Sequence, residues 1–374
     1  MQRTFLLLAG LAVVLWTGYA QSNEINESFA RAATFQRNGN LNEAEAEYRK
    51  LLMVTPNYAE AQANFGVVLA RLGKTEEAIK AYETALRLKP ELTPILLNLG
   101  ILHYRAGQFA KAATALERFI VVAPDHPQAR QLLGVSLVEL GRNADAVIYL
   151  ESLLSSPQAE ATAVYSLGLA YVRLQRKEVT MVVERLAAHP DGLALSRLLQ
   201  GQALLEDFEL IKAATEFEAA AKLSSELPRL KFLLGLTYHK LGRTPEAREY
   251  LERELNRTPD DFLTLYYLAA LLEKQGELNL AHQRIAAALK QEPGNAQALE
   301  LNGSILLKLG QTAEAVRVLE QAVAQRPENS DARYLLARGL QKLGRKADAA
   351  REFAAVERLK VQANEREKGR KPNL

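Results

Sequence analysis

Along residues 59–90, apolar and small positions recur with the spacing of a helix face, not with the alternation of a strand. Ala61, Phe65, Val68 and Leu69 fall on one stripe, which predicts an amphipathic helix running to Arg71. Gly73 ends it, since the left-handed residue after a helix is cheapest as glycine. A second helix is predicted from Thr75, with Ala78, Ile79, Tyr82, Ala85 and Leu86 on its inner side, and Pro90 closes the unit. Gly66 and Ala78 are small where the two helices should cross most closely.

The unit returns down the chain. Its first-helix marker recurs as Ala32, Gly66, Gly100, Gly134, Gly168, Gly201, Gly235, Ala269, Gly303 and Ala337, 34 residues apart except for one step of 33 between Gly168 and Gly201. Closing prolines recur at Pro56, Pro90, Pro124, Pro259, Pro293 and Pro327. Ten units cover residues 25–360, and each buries its inner face only against its neighbours, so the array grows as one core instead of the two or three domains its length suggests. Gly66, Ala78, Tyr82, Ala85 and Pro90 stand at the offsets of the glycine, alanine, aromatic, alanine and proline of the tetratricopeptide repeat (TPR), and the chain resembles that family. The resemblance implies an all-α, right-handed superhelical solenoid of about ten helix-turn-helix repeats.

The pattern breaks between residues 175 and 208. Turn glycines stand at Gly39, Gly73, Gly107, Gly141, Gly242, Gly276, Gly310 and Gly344, but the fifth and sixth units have Gln175 and Phe208 there. The fifth unit also has Thr180 for its second-helix alanine and an early His189-Pro190. An irregular junction is expected here, with a hinge and ordinary drift of a tolerant array as the two readings.

Composition changes the picture mainly at the ends. With 48% apolar and 24% charged residues, neither disorder nor a polytopic membrane protein is indicated. Residues 1–20 carry Arg3, an uncharged apolar run from Phe5 to Trp16, and the small residues Gly18 and Ala20. This predicts a secretory signal peptide cleaved after Ala20 and an exported, periplasmic or extracellular protein. An uncleaved anchor over residues 5–20 is the alternative, and the only membrane contact expected. Without cysteine there is no lipid anchor by acylation and no disulfide framework. A net charge of +3 gives little steering toward nucleic acid. Residues 361–374 form a polar, basic tail, whose Gly369 and Pro372 predict fraying of the last helix.

Candidate chemistry is thin. The five histidines, His103, His126, His189, His239 and His282, have no metal-ligand spacing, and His103 takes an inward first-helix position. Gly73-Lys74-Thr75 lacks the upstream glycine of a phosphate loop, with Val68 in that place. No catalytic residue, metal or cofactor is implied.

What remains is the groove lined by first helices, which in the resembled family is the concave, peptide-binding face. Near the N-terminus Asn64 and Asn98 align along it and resemble the asparagine ladder by which some members hold peptide backbones. From the middle onward the face carries Tyr165, Phe232, His239, Tyr266, Tyr267 and Tyr334, either as interface anchors or as packing between neighbouring first helices. A basic ladder (Arg37, Arg71, Arg105, Arg173, Lys240, Lys274, Lys308, Lys342) reads as a track for acidic ligands or as stabilisation of helix C-termini. Phe29, Ala33 and Pro94 take places that a carboxylate clamp for chaperone tails would need for lysine and asparagine. The expected function is a non-enzymatic scaffold of the cell envelope that binds a peptide segment of a partner, within a multiprotein complex. The alternative is an envelope carbohydrate or polymer binder using the same aromatics.

Overall fold

The computed structural model describes residues 23–370; the expected signal segment at residues 1–20 lies outside them. The chain divides into two compact units, with the boundary after Gly192. It falls inside the stretch where the sequence pattern breaks.

Each unit is a stack of five antiparallel helix pairs. The first contains α1 (residues 23–37) with α2 (Leu41–Val54), α3 (Ala59–Arg71) with α4 (Thr75–Leu88), α5 (Pro94–Arg105) with α6 (Phe109–Val122), α7 (Pro127–Glu139) with α8 (Asn143–Leu150), and α9 (Ala161–Arg173) with α10 (Val179–Ala187). The second contains α11 (Leu193–Glu206) with α12 (Leu210–Leu223), α13 (Leu230–Lys240) with α14 (Thr244–Arg257), α15 (Phe262–Gln275) with α16 (Leu278–Gln291), α17 (Ala296–Lys308) with α18 (Thr312–Gln325), and α19 (Ser330–Lys342) with α20 (Lys346–Arg370). Among the described residues the protein is thus an all-α solenoid fold of ten helix pairs. Helix α20 runs to Arg370.

The small first-helix residue has the role its spacing predicts. A Cβ added at Gly66 would stand 2.6 Å from the Tyr82 ring, at Gly201 2.6 Å from the Phe217 ring, and at Gly303 2.4 Å from Leu319. Tyr82 and Phe217 are among the largest fully buried side chains of the core, and Leu319 is buried as well. The closing prolines act on the residue before them. Thr55, Lys89, Ala123, Thr258, Glu292 and Arg326 all take φ between −128° and −143° with ψ of 69–85°. A proline ring drives its predecessor out of the helical region, so these six second helices stop at the same place.

At the junction the turn itself survives without glycine. Gln175 (φ 54°) and Phe208 (φ 58°) adopt the left-handed conformation that glycine takes in the other eight turns. What differs is the second helix of the fifth unit, α10, which has only 9 residues, and already before the junction α8 gives way to a 3-10 turn at Glu151–Leu154, whereas α12 keeps 14 residues. Left-handed backbone costs a side-chain-bearing residue about 1–2 kcal/mol, against about 0.5–1 kcal/mol for glycine's greater chain entropy. Gln175→Gly is therefore expected to raise the unfolding free energy by about 0.5–1 kcal/mol. Phe208→Gly should gain less, because the Lys240 ammonium lies 5.1 Å from the Phe208 ring centre and that contact would go. Urea unfolding of the three proteins checks both the sign and the order.

Candidate functional site

Within each unit the first helices of successive pairs pack on one another: α3 on α5, α5 on α7 and α7 on α9, then α11 on α13, α13 on α15, α15 on α17 and α17 on α19. No two successive second helices make comparable contact among the described residues. First helices therefore form the inner layer, and their outward side chains line its open face.

In the second unit that face is set by well-anchored helices. Asp261 Oδ2 accepts the Thr264 N–H at 2.8 Å and starts α15, and Gly276 at φ 80° ends it. Asn295 Oδ1 caps α17 through the Ala298 N–H at 3.1 Å. Asn329 Oδ1 caps α19 through the N–H groups of Asp331 and Ala332, at 3.0 and 3.1 Å. Such caps fix where each helix begins, and so the height of its side chains on the shared face.

On this scaffold Phe232, His239, Tyr266 and Tyr267 come together. Ring centres of Tyr266 and Tyr267 are 5.3 Å apart, and Tyr267 lies 6.0 Å from Phe232 and 5.9 Å from His239. Phe262 extends the cluster, stacked on Tyr266 at 6.3 Å. Sequence reasoning missed it, although its place one helical turn before Tyr266 was available as a signal. Burial raises the hydroxyl pKa of both Tyr266 and Tyr267. It lowers that of His239, helped by Lys274 and Lys240, and so favours the neutral imidazole.

The remaining candidates are placed differently. Phe232 is only 4% exposed, under the Arg229 guanidinium at 4.6 Å, so it supports the cluster from below. Tyr334 stands apart, 46% exposed, edge-on to Phe353 of α20 at 6.0 Å. Tyr165 lies half-buried on α9 of the first unit. Asn64 and Asn98 are half-buried there too, and each hydrogen-bonds a buried tyrosine hydroxyl, Tyr48 and Tyr82 respectively. Burial pushes both phenols up to about 12, the asparagine bond pulling the other way. The two asparagines thus serve the core.

Much of the basic ladder is also tied inward. Arg173 Nη1 donates to the Val138 carbonyl at 2.6 Å, Arg71 Nη1 to the Gln36 carbonyl at 3.4 Å, and Lys308 Nζ pairs with Glu273 at 2.9 Å. Each cation meets the last turn of the preceding first helix, where the helix dipole is negative. His103 is buried with Nδ1 2.8 Å from Gln108 Oε1, in keeping with its inward position. Among the described residues no group of three or more His, Asp or Glu could hold a metal ion, and no helix is long and apolar enough to cross a membrane.

Stacked helix pairs with an inner layer of first helices define a helical-repeat protein, a class that works as a protein–protein interaction scaffold. Models of the tetratricopeptide repeat match residues 97–160, 132–179, 196–262, 266–315 and 306–365, and a TPR repeat model matches 68–107. The chain belongs to the tetratricopeptide repeat family. These matches skip residues 180–195, which contain all of α10 but its first residue, and the unit boundary. A chain in the crystal structure of the APC/C hetero-tetramer Cut9-Hcn1 is similar over 90% of this chain and 87% of its own length, with a TM-score of 0.53 and 13% identity, which shows the fold alone. MamA from Desulfovibrio magneticus RS-1 is similar over 45% of this chain and 96% of its own, with 21% identity and a TM-score of 0.43. No match was found among curated protein sequences.

Proposed function

We propose that this protein is an exported, non-enzymatic scaffold that holds an extended segment of a partner protein against the first helices of its second unit. The observation that carries the reading is the cluster of Phe262, Tyr266 and Tyr267 on capped α15, backed by buried Phe232. Half-buried tyrosines with a rigid backing lose little freedom on binding and present an apolar body with a polar tip, the character of interface anchors. Export, and with it a place in a multiprotein envelope complex, rests on the apolar run from Phe5 to Trp16 followed by Gly18 and Ala20.

The test is in-cell crosslinking and capture of a C-terminally tagged chain from the envelope fraction. Tyr266→Ala with Tyr267→Ala is expected to cut capture of the partner more than tenfold, as loss of an anchor worth about 2 kcal/mol implies. Helical content should stay unchanged. Full capture by the double variant would sink the groove assignment. No protein partner, together with retarded mobility in polysaccharide gels, would support polymer binding by the same tyrosines. The chain purified free of any partner also reports on export, since a chain cleaved after Ala20 has lost Trp16, its only tryptophan, and emits from tyrosine alone.

A further inference from the structure

Two concavities of opposite charge adjoin on the inner face of the second unit. One, of about 390 Å³, lies over α15, α17 and α19 and presents Tyr266, Glu300 and Asp331. The other, of about 240 Å³, lies between α17 and α19 and presents Arg338 and Lys342. They share Ser304 and Leu335, so one ligand could occupy both.

The internal ion pairs leave each side with a surplus. Glu273 of the first cleft pairs with Lys308 of the second at 2.9 Å and accepts from Ser304 at 2.6 Å, which removes that pair from both counts. Glu300 and Asp331 then face the single guanidinium of Arg326, one negative charge in excess. Arg338 and Lys342 have no carboxylate in their cleft. Glu300 is also held in place: Asn329 Nδ2 donates to its Oε2 at 2.6 Å, while the same side chain caps α19. Burial, and less strongly Asp331, raise its pKa, and the Asn329 bond and Arg326 oppose them. A half-buried carboxylate in that position is stabilised by an incoming cation.

We propose that these two clefts read the charge order of the bound segment, taking a lysine or arginine side chain against Glu300 and Tyr266 and an acidic side chain against Arg338 and Lys342. The partner is therefore a peptide carrying both charges, seated in one direction. This rests on the groove reading above and adds the chemistry and polarity of its ligand. Tyr266 belongs to both, as the ring that the cation would lie against.

The experiment uses fluorescein-labelled heptapeptide pools, acetylated and amidated to remove terminal charge, with the full chain in fluorescence polarisation. One pool has glutamate before lysine, a second has lysine before glutamate, each at every spacing, and a third has glutamine at both places. One charged order is expected to bind about tenfold tighter than the other and than the neutral pool. Glu300→Gln, which keeps an oxygen for Asn329, should erase the preference for lysine. Arg338→Gln with Lys342→Gln should erase the preference for glutamate. If the neutral pool binds as tightly as the charged ones, and Tyr266→Ala with Tyr267→Ala abolishes that binding, charge reading is overturned while the groove stands. If no pool shows binding that depends on the tyrosines, both fall.

Discussion

Replacing Phe217 with alanine is expected to lower the unfolding free energy of the second unit by about 3–5 kcal/mol, because the ring is fully buried and its loss leaves a cavity. The sharper result lies in its coupling to Gly201. A methyl at Gly201 would stand 2.6 Å from two atoms of that ring, so Gly201→Ala alone should cost about 1–3 kcal/mol despite alanine's better helix propensity. With Phe217 already alanine, the same methyl enters vacated space. Gly201→Ala should then be neutral or stabilising by up to about 1 kcal/mol, the propensity gain. Urea unfolding of the wild type, both single variants and the double variant measures the difference. Additive effects would mean that the ring is not what keeps this crossing small.

That coupling shows why so much of this fold was legible in the sequence. The residues that mark the unit are small where helices cross, glycine where the backbone is left-handed, and proline where the second helix must stop. Each requirement is local, and the small first-helix residue recurs at 34-residue steps with one step of 33. Even the two departures were visible as positions, and Gln175 and Phe208 keep the turn with side chains that dislike it.

The site was less legible because position within the unit does not decide exposure. Phe232, Tyr266, Glu300 and Tyr334 are successive equivalents, yet the first is buried, the next two are half-buried and the last is open. Their neighbours make the difference: Arg229 and Tyr267 cover Phe232, whereas Tyr334 has Phe353 at its edge. The hydrogen bonds from Asn64 and Asn98 to tyrosines of the preceding pair depend likewise on side-chain directions that spacing does not carry. Glu300 is legible in the same register, 34 residues from both Tyr266 and Tyr334, but as a carboxylate it carries no aromatic signal.

The same dependence on the neighbouring repeat gives Glu45 a structural role in the first unit. Its buried carboxylate on α2 takes Lys74 Nζ at 2.7 Å on both oxygens and Arg49 at 2.6 Å, and Arg49 continues to Glu77 of α4 at 3.2 Å. Lys74 is the residue that opens α4, so this network ties one second helix to the start of the next. Glu45→Gln keeps the volume and leaves two cations facing an amide. Removing one partner of a buried pair costs about 3–5 kcal/mol, but Lys74 and Arg49 are nearly half exposed and recover hydration, so about 1–3 kcal/mol is expected at neutral pH. The hydrogen bonds from Lys74 and then Arg49 hold the Glu45 pKa below its ordinary value of 4.5. A carboxylate with a depressed folded pKa contributes its stability above the unfolded pKa and loses it as pH falls through the folded one. The gap between wild type and Glu45→Gln should thus be full at pH values above 4.5 and shrink steadily below it. Denaturant titrations across that range check this, and a gap that stayed constant into acid would assign the loss to packing instead of charge.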